Sequence, residues 1–481
     1  MRRAVDSVFE NARCFDDKIS SYFTLVRALG AQGRPQEASD LCIFVLLHLD
    51  EAIPVSPNII DLILSEFLKT RQQLDGKTDD DILSMSAMAD GRKIAAMRFL
   101  YSLNFQSFFA KTNIQFVVSL RMLQISLHHG LCNDSAFSFA VYGGFLCGKF
   151  LNIHDANRFM KLSLLLLDKS ESKESLPRIY SVIYGIINPW VGRHRDSLNQ
   201  LIYAYKAGMQ CGDILYALMN AQLYCVQAYE SGLELETLVK RISEFSKETM
   251  EHNQELSLMM LPILKQTVLN LMGQSKDPLH LSGGAMDEES VLKEAIDNNR
   301  KSIVSAIYHN RSWLAYFFGD YKLALKMIIS VDLVLKDTIM PTFTMCNHLF
   351  LSALVSFALA HSTGDDCRWM QRASFASDKV KNYAQHAPSN YQQNVLLLEA
   401  ESAFLTKDKY QAAKKYDFAI KIAGKNGFIQ DQALAHERAG YFHFKEGNNS
   451  AASYHYGEAH SAYLIWGAKA KAHHLRENIP L

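Results

Sequence analysis

Apolar residues recur along this chain with the spacing of one helix face, and the pattern is interrupted at short intervals by Gly, Pro or Asn. Ile19, Phe23, Val26 and Leu29 form the first clear stripe, which Gly30 and Gly33 are expected to end. Pro35 stands at the start of the next helix, where its missing N–H costs nothing. Ala38, Leu41, Phe44, Val45 and Leu49 make that helix's apolar face, and the two helices form a hairpin. A third helix after Pro57 carries Ile59, Leu62, Ile63, Phe67 and Leu68 inward. Thr78 or Asp79 is expected to cap one later helix, and Asn133 or Asp134 another. Gly30, Gly212 and Gly447 are placed to take positive φ at helix ends.

The clearest repeat lies near the C-terminus. Ala400, Ala412, Tyr416 and Ala419 are followed, 40 residues on in each case, by Gly440, Ala452, Tyr456 and Ala459. Small residues at these positions let two antiparallel helices approach, and the tyrosine fills the groove between them. A hairpin of this kind cannot bury its own apolar face, so neighbours must stack on it. Helical spacing predicts further helices near 89–103, 112–129, 132–149, 152–169, 175–187, 192–209, 213–231, 234–253 and 256–272. Others are predicted near 288–298, 300–318, 321–336, 341–362 and 367–385. Sustained two-residue alternation is almost missing. The expected fold is all-α: a right-handed α-solenoid of tetratricopeptide-like hairpins with about twenty helices. Its parts read as a poorly ordered lead-in or broken first helix over 1–14, an N-terminal stretch of solenoid over 15–273, a surface loop or linker over 274–288, and C-terminal repeats over 289–481.

Composition narrows the function classes. Hydrophobic residues make up 48% of the 481, enough for an extensive core. Lys+Arg and Asp+Glu are both 50, so no charge excess points to nucleic acid or an anionic membrane surface as partner. The eight cysteines stand singly, without a CxxC pair, as reduced thiols of a cytoplasmic protein would. The apolar runs Leu41–Leu49 and Leu162–Leu167 fall far short of the ~20 residues that span a bilayer, and the N-terminus lacks a signal-like apolar segment. A cytoplasmic location without membrane insertion is expected.

Several segments imitate catalytic motifs. Gly143 to Phe150 approaches the phosphate-binding GxxxxGK[ST] pattern, but Phe150 stands where a hydroxyl must hold Mg²⁺, and a helical stripe rather than a strand precedes it. His194-Arg195-Asp196 echoes a protein-kinase catalytic loop, but position 201 is Leu where Asn is required. These residues read as a charged helix start. The adjacent pairs His128-His129 and His473-His474 point about 100° apart on a helix and cannot readily chelate one metal. Asp79-Asp80-Asp81 reads as a solvated helix start. Phe105, Phe108, Phe109, Tyr456 and Tyr463 are spaced for packing between helices. No residue is assigned a catalytic, cofactor-binding or metal-binding role, and no cofactor is expected.

The segment Ala433-Leu434-Ala435-His436-Glu437-Arg438-Ala439-Gly440-Tyr441-Phe442, followed by Ala459, Tyr463 and Trp466-Gly467-Ala468-Lys469-Ala470-Lys471, resembles the end of the tetratricopeptide-like solenoid in large multidomain signalling proteins. Met85 to Asp90, His129 to Ala136, Asn188-Pro189-Trp190 and Ala204 to Gly208 resemble earlier parts of the same region in the same order. Those proteins join a serine/threonine-kinase-like domain, a predicted AAA-type ATPase, this helical region, a GAF sensor and a histidine kinase. The resemblance implies a non-catalytic scaffold or regulatory module that meets protein partners, such as signalling ATPase or kinase domains. One alternative is a fragment of a multidomain ATP-dependent kinase whose catalytic domains lie outside this chain. Another is a solenoid that senses a small molecule or peptide. A closed apolar pocket with convergent polar groups would favour that last alternative, and a smooth open groove would count against it.

Overall fold

The computed structural model describes residues 2–54, 58–109, 114–170, 173–251, 260–335, 344–363 and 366–479. Every regular element among them is helical, apart from one bridge pair between Ala87 and Leu131. Contacts divide the chain into two compact units, Met1–Ile183 and Tyr184–Leu481.

The first unit runs α1 (Arg2–Asn11), α2 (Ile19–Ala31), α3 (Pro35–His48), α4 (Ile59–Leu74), α5 (Asp79–Leu83), α6 (Gly91–Phe109), α7 (Ile114–His129), α8 (Ser135–Phe150), α9 (Ile153–Lys169) and α10 (Leu176–Val182). Local chemistry sets several of these starts. Asn58 accepts from Ile60 N at 3.1 Å. Thr78 and Asp81 form a reciprocal capping box, at 3.1 Å from Asp81 N to Thr78 Oγ1 and 2.8 Å from Thr78 N to Asp81 Oδ2. Asp134 precedes α8 but makes no side-chain cap there; its carboxylate accepts from Arg178 at 2.7 Å instead. Gly30 lies inside α2, where a Cβ would stand 2.5 Å from Gln106 Nε2. The left-handed turn falls to Gly33, at φ +70°. Phe44 belongs to the apolar stripe of α3, and Leu68 is read as facing inward. Both face solvent, Leu68 at 56% exposure, while Val45, Ile63 and Phe67 take the core positions. Gly143 to Phe150 is continuous helix within α8, so its amides are spent on the helix ladder and form no phosphate cradle.

The second unit begins in a π-helical turn, Ile183–Ile187, that leads to the short α11 (Asn188–Val191). Then follow α12 (His194–Cys211), α13 (Ile214–Glu230), α14 (Leu235–Glu251), α15 (Met260–Met272), α16 (Glu288–Asp297), α17 (Lys301–Phe317), α18 (Tyr321–Leu335), α19 (Thr344–Thr363), α20 (Asp366–His386), α21 (Pro388–Leu405), α22 (Lys409–Asn426), α23 (Ile429–Lys445), α24 (Asn449–Trp466) and α25 (Lys469–Asn478). Antiparallel neighbours pair as α17 with α18, α19 with α20, α21 with α22 and α23 with α24, and the first helices of successive pairs lie side by side. The small-residue code works as its spacing predicts. Ala400, Ala412, Ala419, Ala452 and Ala459 are fully buried, Tyr416 and Tyr456 nearly so, and a Cβ on Gly440 would stand 2.9 Å from the Tyr456 ring. Asp408 and Asn448 cap the second helix of each hairpin, and Gly427 and Gly467 end it in the left-handed region.

Two features of this unit go beyond the sequence pattern. The helix α19 is 20 residues long and apolar enough to cross a bilayer by length and composition, but most of it is buried inside the unit. Asn347, His348 and His361 interrupt the run and hid it from a search for uninterrupted apolar stretches. The loop between α15 and α16 is pinned to its surroundings. Asn270 Nδ2 donates to His280 O at 2.6 Å, and Glu288 accepts from Leu281 N at 2.8 Å while pairing with Arg311 at 2.7 Å.

The stack of hairpins also returns on itself within this unit. Trp466, at the end of α24, lies 5.8 Å from the Tyr229 ring of α13. A Cβ on Gly467 would stand 3.3 Å from Leu235 Cβ, and one on Gly273 would stand 3.6 Å from Ala470 Cβ. Lys471 of α25 is buried and donates to Phe317 O at 2.6 Å and Glu437 at 2.7 Å. The helices that open the unit therefore pack against those that close it.

Candidate functional site

That return borders a partly open cavity of about 380 Å³, inside the ~300–1,000 Å³ range of small-molecule sites. Its apolar wall includes Leu264, Trp313, Phe317, Val331, Phe350 and Trp466. Its polar groups come from helix ends that the return brings together. Glu230 is the last residue of α13, and Asp431 lies in the first turn of α23. A direct bond joins these two elements, because Gln430 Nε2 donates to Glu230 O at 2.7 Å across 200 residues of sequence. Arg195 reinforces it by donating to Ser231 O at 3.2 Å and to Gly427 O, so one guanidinium spans the turn after α13 and the turn before α23. Gly232, at φ +76°, leaves room for the Gln430 side chain, which a Cβ there would displace.

The two acids sit in unusual electrostatic surroundings. Both line the cavity and are half-buried. Burial pushes Glu230 up to about 8, the Asp431 charge adds to the rise, and a hydrogen bond from Asn347 partly opposes it. Burial likewise pushes Asp431 up to about 7 against a 3.0 Å hydrogen bond from Gln393 Nε2. Glu230 also stands at a helix C-terminus, the end that disfavours a negative charge. Glu230 Oε2, Asn394 Oδ1, Gln430 Oε1 and His348 Nδ1 are buried without a hydrogen-bond partner among the described residues, and all four residues line the cavity. A buried polar atom left unpaired costs about 1–3 kcal/mol, so four such atoms on one cavity wall are polar groups that the fold itself does not satisfy.

Histidines complete the wall. His194 is buried at the start of α12, with its amide on Asn390 Oδ1 at 3.1 Å and its Nε2 3.3 Å from the Tyr391 hydroxyl. Burial lowers His194 to about 4. His309 is lowered to about 3 by burial and by the neighbouring His348. His348 Nε2 bonds Asp332 at 2.9 Å. The triplet read as a charged helix start does open α12, but His194 turns into the core and Arg195 bridges two distant turns. His128 and His129 are exposed. No group of three or more His, Cys, Asp or Glu side chains among the described residues is placed to hold a metal ion. Sequence reasoning missed Glu230 and Asp431. Each ends or begins an ordinary helix, and only the closure of the stack brings them together.

No protein-family model matches the chain, and no curated protein matches it. Among solved structures, one similar chain is described as a circular tandem repeat protein with novel repeat topology and enhanced subunit contact surfaces. It is 11% identical over 99% of this chain and 89% of its own length, at a TM-score of 0.15, a likeness too slight to bear on fold or function.

Proposed function

We propose that this protein is a non-catalytic helical-repeat module whose second unit takes up a small organic ligand, or a short peptidic group, in the cavity bounded by α13, α17, α19, α21 and α23. One observation carries this reading: buried polar atoms without partners converge on a mainly apolar cavity formed where the hairpin stack meets its own beginning. Occupancy would bridge α13 and α23 and so tighten the closure of the unit. A regulatory module passes on a binding event in this way, which fits the resemblance to signalling solenoids.

A thermal-shift screen of metabolite-sized compounds tests the proposal, with Ser305→Tyr and Ala306→Phe as variants that fill the cavity. Binding compounds should raise the melting temperature of the wild type and leave the filled variants unmoved; saturation at 100 times Kd is worth about 2.7 kcal/mol. A screen without hits, together with filled variants as stable as the wild type, would reduce the cavity to a packing defect. A second reading, docking of a protein partner, has its own support in the first unit. Ile60, Leu64 and Leu68 form an exposed apolar row along α4 at helical spacing. Leu64→Glu should abolish partner capture without loss of helicity if that row is a docking face.

A further inference from the structure

The chemistry of the cavity narrows its ligand, on the premise that the cavity is a binding site at all. Among the described residues, the groups that face Glu230 and Asp431 from the surrounding helices are His194 on α12, Tyr229 on α13, Lys301 and His309 on α17, Cys346 and His348 on α19, Tyr391 on α21 and Tyr463 on α24. His194 and His309 are held neutral by burial, and the Cys346 thiol and the Tyr229 phenol are pushed further from ionisation. Lys301 stands exposed at the start of α17. Glu230 and Asp431 are held by amide donors, Asn347 and Gln393, and among the described residues neither is ion-paired with an arginine or lysine.

We infer that the cavity receives an organic cation, an ammonium group on an apolar body, with the ammonium set between the Glu230 and Asp431 carboxylates and the body against Trp313, Phe317 and Leu264. The indole and phenyl rings suit this ligand in two ways, as apolar surface and as faces attractive to a cation. The entering charge favours ionised carboxylates, so uptake of an ammonium near neutral pH expels protons that the acids otherwise retain. The ammonium comes either from a free amine or from the amino end of a peptide, and the two sources present the same group to the site.

Isothermal titration with phenethylamine, 2-phenylethanol and phenylacetate at pH 7 tests the assignment, in two buffers of different ionisation enthalpy. The amine is expected to bind at least about tenfold more tightly than the alcohol or the acid, as a hydrogen bond to a charged group implies. Its binding heat is expected to change with the buffer, which reports proton release. Glu230→Gln should cut amine affinity about tenfold, reduce the proton release and leave the alcohol unaffected. Asp431→Asn serves as an independent second variant, with circular dichroism confirming the fold of each. A Phe-Leu dipeptide that outbinds phenethylamine, and loses binding when N-acetylated, assigns the peptide source; the reverse order assigns a free amine. Equal or tighter binding of the alcohol or the acid overturns the cation assignment and leaves the binding site standing. If none of the three probes binds while the broad screen yields hits, the cation assignment alone falls; if the screen is also blank, the binding site falls with it.

Discussion

Glu401 and Glu230 are glutamates enclosed in the same helical unit, and their surroundings treat them in opposite ways. Glu401 on α21 is fully buried, bonded in bidentate fashion by Arg438 at 2.7 and 2.8 Å and by the Tyr416 hydroxyl at 2.8 Å, with His361 at 3.5 Å. Burial pushes its pKa upward, but the Arg438 charge and hydrogen bonds outweigh that effect and hold it down to about 2. Glu230 meets one amide donor and a second acid, and rises to about 8. Position in a repeat therefore does not decide what a buried acid does. A guanidinium in reach makes it a structural pin between hairpins; a cavity in its place leaves it without a counter-charge.

The largest expected effect breaks the pinned side. Glu401→Ala leaves Arg438 as an uncompensated buried charge and should cost about 3–5 kcal/mol in urea unfolding. Removing the charge at Glu230 should behave differently. Glu230→Gln removes an acid that folding must keep protonated and should stabilise the protein at pH 8, by about 1 kcal/mol, as changes at functional sites often do.

The pH dependence sharpens the contrast. Glu401 has a folded pKa below its unfolded value, so its contribution is present above about pH 4.5 and is lost as pH falls toward 2. Glu230 and Asp431 have folded values above their unfolded ones, so their contribution is fully present below about pH 4 and is lost as pH rises toward 8. His194 and His309 favour the folded state above about pH 6.5, and that support is lost as pH falls toward 4 and 3. Acid melts followed by circular dichroism should show Glu401→Gln flattening the steep acid limb, and Glu230→Gln flattening the alkaline decline.

The smallest effects concern the backbone around each acid. Gly440→Ala presses a methyl group against Tyr456, whose ring would stand 2.9 Å away, and should cost about 1–2 kcal/mol. Gly232→Ala combines a left-handed backbone with displacement of Gln430, and should cost about 1 kcal/mol while weakening ligand uptake. Thermal unfolding and the amine titration check both.

The same contrast separates what the sequence makes legible from what it hides. Local rules place Thr78 at a helix start, Gly212 and Gly447 at helix ends, and Ala400, Tyr416, Gly440 and Tyr456 at hairpin interfaces, because each depends on partners within one hairpin or the next. Glu401 also belongs to that local code, since Arg438 is supplied by the following hairpin. The cavity does not. Glu230, Asp431 and His194 share no spacing, and they meet only because the stack returns on itself, which no pair of adjacent helices encodes. The outward turns of Phe44 and Leu68 have the same origin, since a helical stripe says which residues share a face and leaves open how wide a neighbour covers it.

The central claim is that Glu230 and Asp431 face the cavity without a counter-charge and hold their protons in the folded state. Its most direct test is the unfolding free energy of the wild type and of Glu230→Gln/Asp431→Asn at pH 6 and pH 9. The account predicts that the double variant gains on the wild type as pH rises, with the wild type losing stability across that interval. Parallel changes in the two proteins would mean that both acids are ionised and satisfied in the folded state, and would contradict it.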